Sequence, residues 1–198
     1  RNDETTYRSK FHPIDDEGNT FKRRYIYYQY KAPDYEDMTP EQVDYINNQI
    51  YAMEKAFNSK NYRDPNTGYR KYIDPTSFAD YQLAQEFGRN VDGYRLSAKI
   101  FKRRDNQDPR FKMVLWDMNL AYGNAKYYNS CDIEGWFYLS NALLNSEGET
   151  YMIPFWWYKL NEDTEYTELV KKRWAQYRRA NFREENIMAI VDSLAHVL

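Results

Sequence analysis

The sequence predicts an α+β domain, mainly helical with one small antiparallel β-hairpin. Three observations carry that prediction. Residues 40–57 repeat apolar side chains at helical spacing behind a strong start signal, and residues 74–87 do so behind a second one. Two strand-like runs, 95–103 and 111–116, then flank the polar seven-residue connection RDNQDPR, for which a hairpin is the economical reading.

Taken in order, KRRYIYYQYK at 22–31 is rich in tyrosine and suits a strand ending at Ala32-Pro33. Thr39-Pro40-Glu41-Gln42 then supplies an N-cap threonine, a proline at the first helical position and a glutamine three residues after the cap. Val43, Ile46, Ile50, Met53 and Phe57 come next at spacings of three and four, forming one apolar face. Residues 58–71 are polar, with Asp64-Pro65-Asn66 and Thr67-Gly68, and read as a loop. Asp74-Pro75 opens the second helix, with Phe78, Tyr81, Leu83, Ala84 and Phe87 expected to be buried and Gly88 expected to close it. Past the hairpin come an irregular stretch with Gly123, Gly135 and Gly148, a short aromatic helix at PFWWYKL, and two longer helices near 163–180 and 182–198. In the last of these, Ile187, Ile190, Val191, Leu194 and Leu198 share a stripe. No repeat or domain boundary shows, so residues 1–198 read as a single domain.

Composition excludes several classes of function. An apolar fraction of 42% argues against disorder, and 21 Tyr, 10 Phe and 5 Trp supply the burial that aliphatic residues do not. A net charge of −2 lowers the rank of nucleic-acid binding. Cys131 stands alone, so neither an internal disulfide nor a cysteine–histidine zinc site can form. No apolar stretch approaches the roughly 18 residues of a membrane span. The chain starts at Arg1 without a signal-like segment and stops inside an amphipathic run, the pattern expected of a piece of a longer protein.

The candidate chemistry lies around the hairpin. Asp92 precedes its first strand and Asp117 ends its second, 25 residues on, so pairing of the strands brings both carboxylates to the same end. Divalent-metal and phosphate chemistry needs such a pair, one carboxylate on the metal and one to orient or deprotonate a nucleophile. Asn119 adds a neutral oxygen two residues on. Two plainer readings stand beside this. Asp92-Gly93 is also a turn dipeptide, and Asp117, following Val114-Leu115-Trp116, could cap the next segment. If that apolar run is buried, Asp117 must find a partner or bear a desolvation cost.

Arg95, three residues after Asp92, suits either a phosphate or a structural ion pair. Trp156-Trp157-Tyr158 reads as core rather than a sugar-stacking platform. Lys171, Lys172, Arg173, Arg178, Arg179 and Arg183, interleaved with Glu165, Glu168 and Glu184, read as a solvated helix face. His12 and His196 sit in polar or terminal contexts unsuited to catalysis.

The segments NVDGYRLSAKIFKRRD, VLWDMNLAYGNA, IPFWWYKL and KKRWAQYRR, in that order, resemble the CotH kinase family, which includes spore-coat protein kinases and many gut-bacterial members. The likeness runs from about Ala32 to the end, and its most specific part is the WD-x-[DN] element followed by a glycine. The resemblance implies an atypical protein-kinase-like fold and transfer of phosphate from ATP, with magnesium, to a protein Ser/Thr hydroxyl. It gives Asp92 the part of the catalytic-loop aspartate and Asp117 that of the magnesium-binding aspartate. Asn119 stands where the family often has a second aspartate, which weakens it as a ligand.

No glycine-rich phosphate loop and no VAIK-like lysine strand occur in the chain, so the resemblance casts it as chiefly a C-terminal lobe, with most of the nucleotide-binding lobe upstream. It also implies an exported protein at the cell surface or in the periplasm. A second reading from a different class is a noncatalytic relative whose aromatic surface binds a protein or glycan.

Overall fold

The computed structural model describes residues 5–197. Among them the fold is α+β, with six helices and two separate two-stranded antiparallel sheets. Strand β1 (Thr6–Arg8) pairs with β2 (Tyr27–Gln29), and the peptide between Ala32 and Pro33 is cis. Sequence reading did not anticipate β1. It also drew β2 too long, because tyrosine-rich composition marks strand propensity while only the residues facing β1 join a ladder.

Helix α1 (Pro40–Phe57) has the expected bounds. The Thr39 hydroxyl accepts from the Gln42 N–H at 3.4 Å, and the Gln42 side chain accepts from the Thr39 N–H at 2.9 Å, closing the capping box. Of its apolar stripe, Ile50, Met53 and Phe57 are buried, whereas Val43 and Ile46 are only half-buried nearer the start. Helix α2 (Pro75–Gly88) begins at Asp74, whose carboxylate accepts from Thr76 and Ser77 N–H at 3.1 and 3.4 Å. Phe78, Tyr81 and Leu83 are buried as expected, with Ala84 and Phe87 half-buried.

Gly88 does not close α2. It remains helical, and Arg89 takes the left-handed turn at φ 49°. A non-glycine residue there costs roughly 1–2 kcal/mol. The Arg89 guanidinium offsets that cost by donating to the carbonyls of Gly135 and Asn129, each at 3.0 Å.

The hairpin forms, with strands shorter than predicted: β3 (Lys99–Lys102) pairs with β4 (Phe111–Val114) in the register Lys99 to Val114 and Lys102 to Phe111. It is pinned to the start of α2. The Asp74 N–H donates to the Phe111 carbonyl at 2.9 Å, the Phe111 N–H to the Tyr72 carbonyl at 2.7 Å, and the Met113 N–H to the Ser77 hydroxyl at 2.9 Å. This anchoring gives the site a rigid base.

Helix α3 (Asn141–Ser146) lies inside the stretch read as irregular; its six residues, NALLNS, are too few to show a helical period. Buried Asn141 donates to the Ile14 and Ile153 carbonyls at 2.8 and 2.9 Å and accepts from the Ile153 N–H at 2.8 Å. Helix α4 (Phe155–Asn161) puts Trp156 and Trp157 in the core, as expected. The ring centroids of those two lie 4.8 Å apart, and Tyr94 meets Trp157 edge-on at 4.9 Å.

Helix α5 (Thr164–Arg178) packs on α2 and is clamped there by Arg173, which donates to both Asp80 oxygens at 2.6 and 2.8 Å. The rest of the basic set on and after α5 lies on the exposed surface, as expected of a solvated face. Helix α6 (Glu184–Val197) has no buried residue: Ile190, Val191 and Leu194 are exposed, and Leu198 of the predicted stripe lies outside the described residues.

Candidate active site

Asp92 sits in the turn that links α2 to β3. The Arg95 and Ser97 N–H groups donate to its carbonyl at 3.2 and 3.0 Å, so the turn reading of Asp92-Gly93 holds for the backbone. Gly93 is required by a close approach rather than by φ, since a Cβ there would stand 2.2 Å from Oε1 of Gln85, a residue with no exposed surface. The buried Tyr81 hydroxyl donates to the Gly93 carbonyl at 2.5 Å and fixes the turn from below.

The Asp92 side chain has a separate set of contacts. Its Oδ1 forms an ion pair with Arg95 Nη2 at 3.1 Å. Arg95, whose side chain is 3% exposed, sends its other terminal nitrogen to Glu149 Oε2 at 2.9 Å and stacks its guanidinium 5.2 Å from the Tyr128 ring centroid. The Tyr128 hydroxyl donates to Glu149 Oε1. Arg95 therefore takes the ion-pair alternative that its sequence position left open, with both terminal nitrogens committed to carboxylates. Burial raises the Asp92 pKa, Arg95 works to lower it, and the negative charges of Glu149 and Asp117 push it up further.

Asp117 comes after β4 in a left-handed conformation, φ 54°, which aspartate tolerates better than most residues. The apolar run before it is not buried. Leu115 and Trp116 are 53% and 57% exposed, and Asp117 is exposed with them, so the desolvation argument from sequence does not apply. The strand leaves the ladder after Val114, and beyond that point period-2 burial ends. Nor does Asp117 cap the next segment: among the described residues its carboxylate makes no hydrogen bond or ion pair. Lys99, with its ammonium 5.1 Å from the Trp116 ring centroid, is close enough to feel the Asp117 charge. Asn119 is exposed, and its carbonyl accepts from the Asn124 side chain at 2.7 Å.

One residue that sequence reading passed over joins the two aspartate segments. Asn90, with no exposed surface, accepts from the Asp92 N–H through Oδ1 at 3.3 Å. Its Nδ2 donates to the Asp117 carbonyl at 3.4 Å and to Met118 Sδ at 3.5 Å. Glu149, likewise unremarked, reaches the site from 57 residues beyond Asp92, and no local pattern signals it. Asn90 had only its place beside the Asp92 turn to mark it.

The donor groups available for a metal are hard oxygens: the unpaired Asp117 carboxylate and the Asn119 side chain, with the free Asp92 Oδ2 left for proton transfer. Among the described residues no group of three or more His, Cys, Asp or Glu could enclose a cation.

The family model described as CotH kinase protein matches residues 2–198. Neither the curated proteins nor the solved structures yield a match to the chain. With the family model spanning nearly every residue, the chain belongs to the CotH kinase protein family.

Proposed function

We propose that the chain forms the C-terminal-lobe part of a CotH-type protein kinase that transfers the γ-phosphate of ATP to a Ser/Thr hydroxyl of a protein. The observation that supports this reading is that Asn90 bonds to the backbone of both the Asp92 and the Asp117 segments, and that the Asp117 charge reaches Asp92, in a chain of this family. Asp117, with Asn119 beside it, would hold magnesium, which when bound supplies positive charge against the phosphates. Asp92 keeps Oδ1 on Arg95 and leaves Oδ2 to orient the acceptor hydroxyl and take its proton as the new O–P bond forms. A raised pKa favours that proton transfer. By the same family analogy, the protein works outside the cytoplasm.

Calorimetric titration of ATP, with and without magnesium, into the full-length protein and its Asp117→Ala variant tests the reading. Magnesium-dependent binding that the variant loses supports it; phosphate transfer that survives Asp117→Ala refutes it. A second reading, a noncatalytic module that binds a protein or glycan, draws on Trp116, Tyr122, Tyr127 and Trp136, all exposed near or beyond Asp117. Absence of ATP binding together with a saturable response to glycans would move it to first place.

A further inference from the structure

We propose that Glu149 is a positioning residue for phosphoryl transfer, acting through Arg95 to keep one oxygen of Asp92 free for the acceptor hydroxyl. The inference rests on the kinase reading above and deepens it. An arginine beside a lone carboxylate closes into a two-pronged pair that occupies both oxygens. Here that closure does not happen. Nη2 lies 3.1 Å from Asp92 Oδ1 as an ion pair without hydrogen-bond alignment, while Nη1 hydrogen-bonds Glu149 Oε2 at 2.9 Å.

Glu149 is itself fixed from its far side by the Tyr128 hydroxyl, and the Tyr128 ring lies under the guanidinium. The Arg95 N–H at Nε points to the Val91 carbonyl at 3.4 Å, which holds the plane of the fork. With the arginine side chain 3% exposed, water does not compete for these positions. Asp92 Oδ2 has no partner among the described residues, which is the state a proton acceptor needs.

Removing Glu149's charge weakens the hold on Nη1 and leaves Asp92 as the carboxylate with which Arg95 is already paired. The fork then closes on both Asp92 oxygens and masks the proton acceptor. The sequence leaves no trace of this, since Glu149 sits just after Gly148 in a polar stretch following α3.

The test is a double-mutant cycle in the full-length protein with Mg·ATP and a protein acceptor, using Glu149→Gln, Arg95→Lys and the pair. Glu149→Gln is expected to lower kcat about tenfold while changing the KM for ATP less than about twofold, since masking a general base removes part of a contribution of about 10²–10⁴. An ammonium has no fork to close, so in the Arg95→Lys background Glu149→Gln is expected to change kcat less than about twofold. If Glu149 merely supports the fold near Tyr128, its loss lowers activity by the same factor in both backgrounds, and that result overturns the proposal.

Tyr128→Phe, which loosens Glu149 but keeps its charge, provides a second variant should Glu149→Gln unfold; a kcat loss of about twofold to threefold at constant KM is expected, and none would refute. Wild-type transfer that Asp92→Ala abolishes, alongside a fully active Glu149→Gln, defeats this inference alone. No transfer by the wild-type protein defeats the kinase reading and this inference with it.

Discussion

Replacing Gly93 by alanine tests whether the Asp92 turn is held by close packing against α2. The new Cβ would lie 2.2 Å from Gln85 Oε1 and 2.6 Å from its Cδ, far inside contact distance. Gln85 is fully buried, so its amide has little room to swing aside. Either the glutamine leaves its rotamer or the turn lifts, breaking the 2.5 Å bond from the Tyr81 hydroxyl to the Gly93 carbonyl.

Overpacking of this kind costs about 1–3 kcal/mol. Restricting the unfolded chain at a glycine returns about 0.4–1 kcal/mol. A net loss of about 1–2 kcal/mol lowers the melting midpoint by roughly 2–8 °C in a chain of this length. Differential scanning calorimetry and urea unfolding of Gly93→Ala, Gln85→Ala and the double variant read this directly. Shortening Gln85 removes the obstacle, so the double variant should be at least about 1 kcal/mol more stable than the two single losses added together. Additive losses, or a Gly93→Ala protein as stable as the parent, would show that the turn is not seated on Gln85.

Two buried carboxylates give further predictions. Asp163 caps α5 through the Glu165 N–H at 3.0 Å and also accepts from the Tyr69 hydroxyl at 2.7 Å and Arg70 at 2.6 Å. Asp163→Ala removes the cap and strands the buried Tyr69 hydroxyl, while Arg70 keeps Glu165 Oε2 at 2.9 Å, so urea unfolding should show a loss of about 2–4 kcal/mol; a loss under about 1 kcal/mol would contradict the network. Glu54, buried against the Ser9 and Tyr28 hydroxyls, has its pKa raised from 4.5 to about 7, with burial the dominant cause. The folded state therefore holds this proton more tightly than the unfolded chain, and stability falls as pH rises from about 4.5 to about 7. The shift corresponds to roughly 3 kcal/mol. Comparing urea midpoints at pH 5 and pH 8 should show this slope flattened in Glu54→Gln, and an equal slope in both proteins would reject the assignment.

Much of the fold was legible because its signals are local. The capping box at Thr39, the Asp74-Pro75 start and the polar hairpin connection each depend on residues within a few positions of one another, and the structure follows them closely. The misses share the opposite cause. Arg89 displaces Gly88 as the left-handed residue because its guanidinium finds carbonyls about 40 residues away. The apolar run before Asp117 looks like a strand core, yet the ladder ends at Val114 and the remainder faces solvent.

At the candidate site, sequence alone determined which residue types are present and that a hairpin separates Asp92 from Asp117, since strand pairing across a short turn brings its outer ends together. Only the tertiary structure decided what surrounds them. Arg95 could equally have faced a ligand until Glu149 was seen to take half of its fork, and Asn90 was one polar residue among many until its amide bridged the two segments. Spacing along the chain fixes local hydrogen bonds and periodicity, but how a long side chain divides its bonds depends on residues that meet it only after α2, the hairpin and the 128–149 segment have packed.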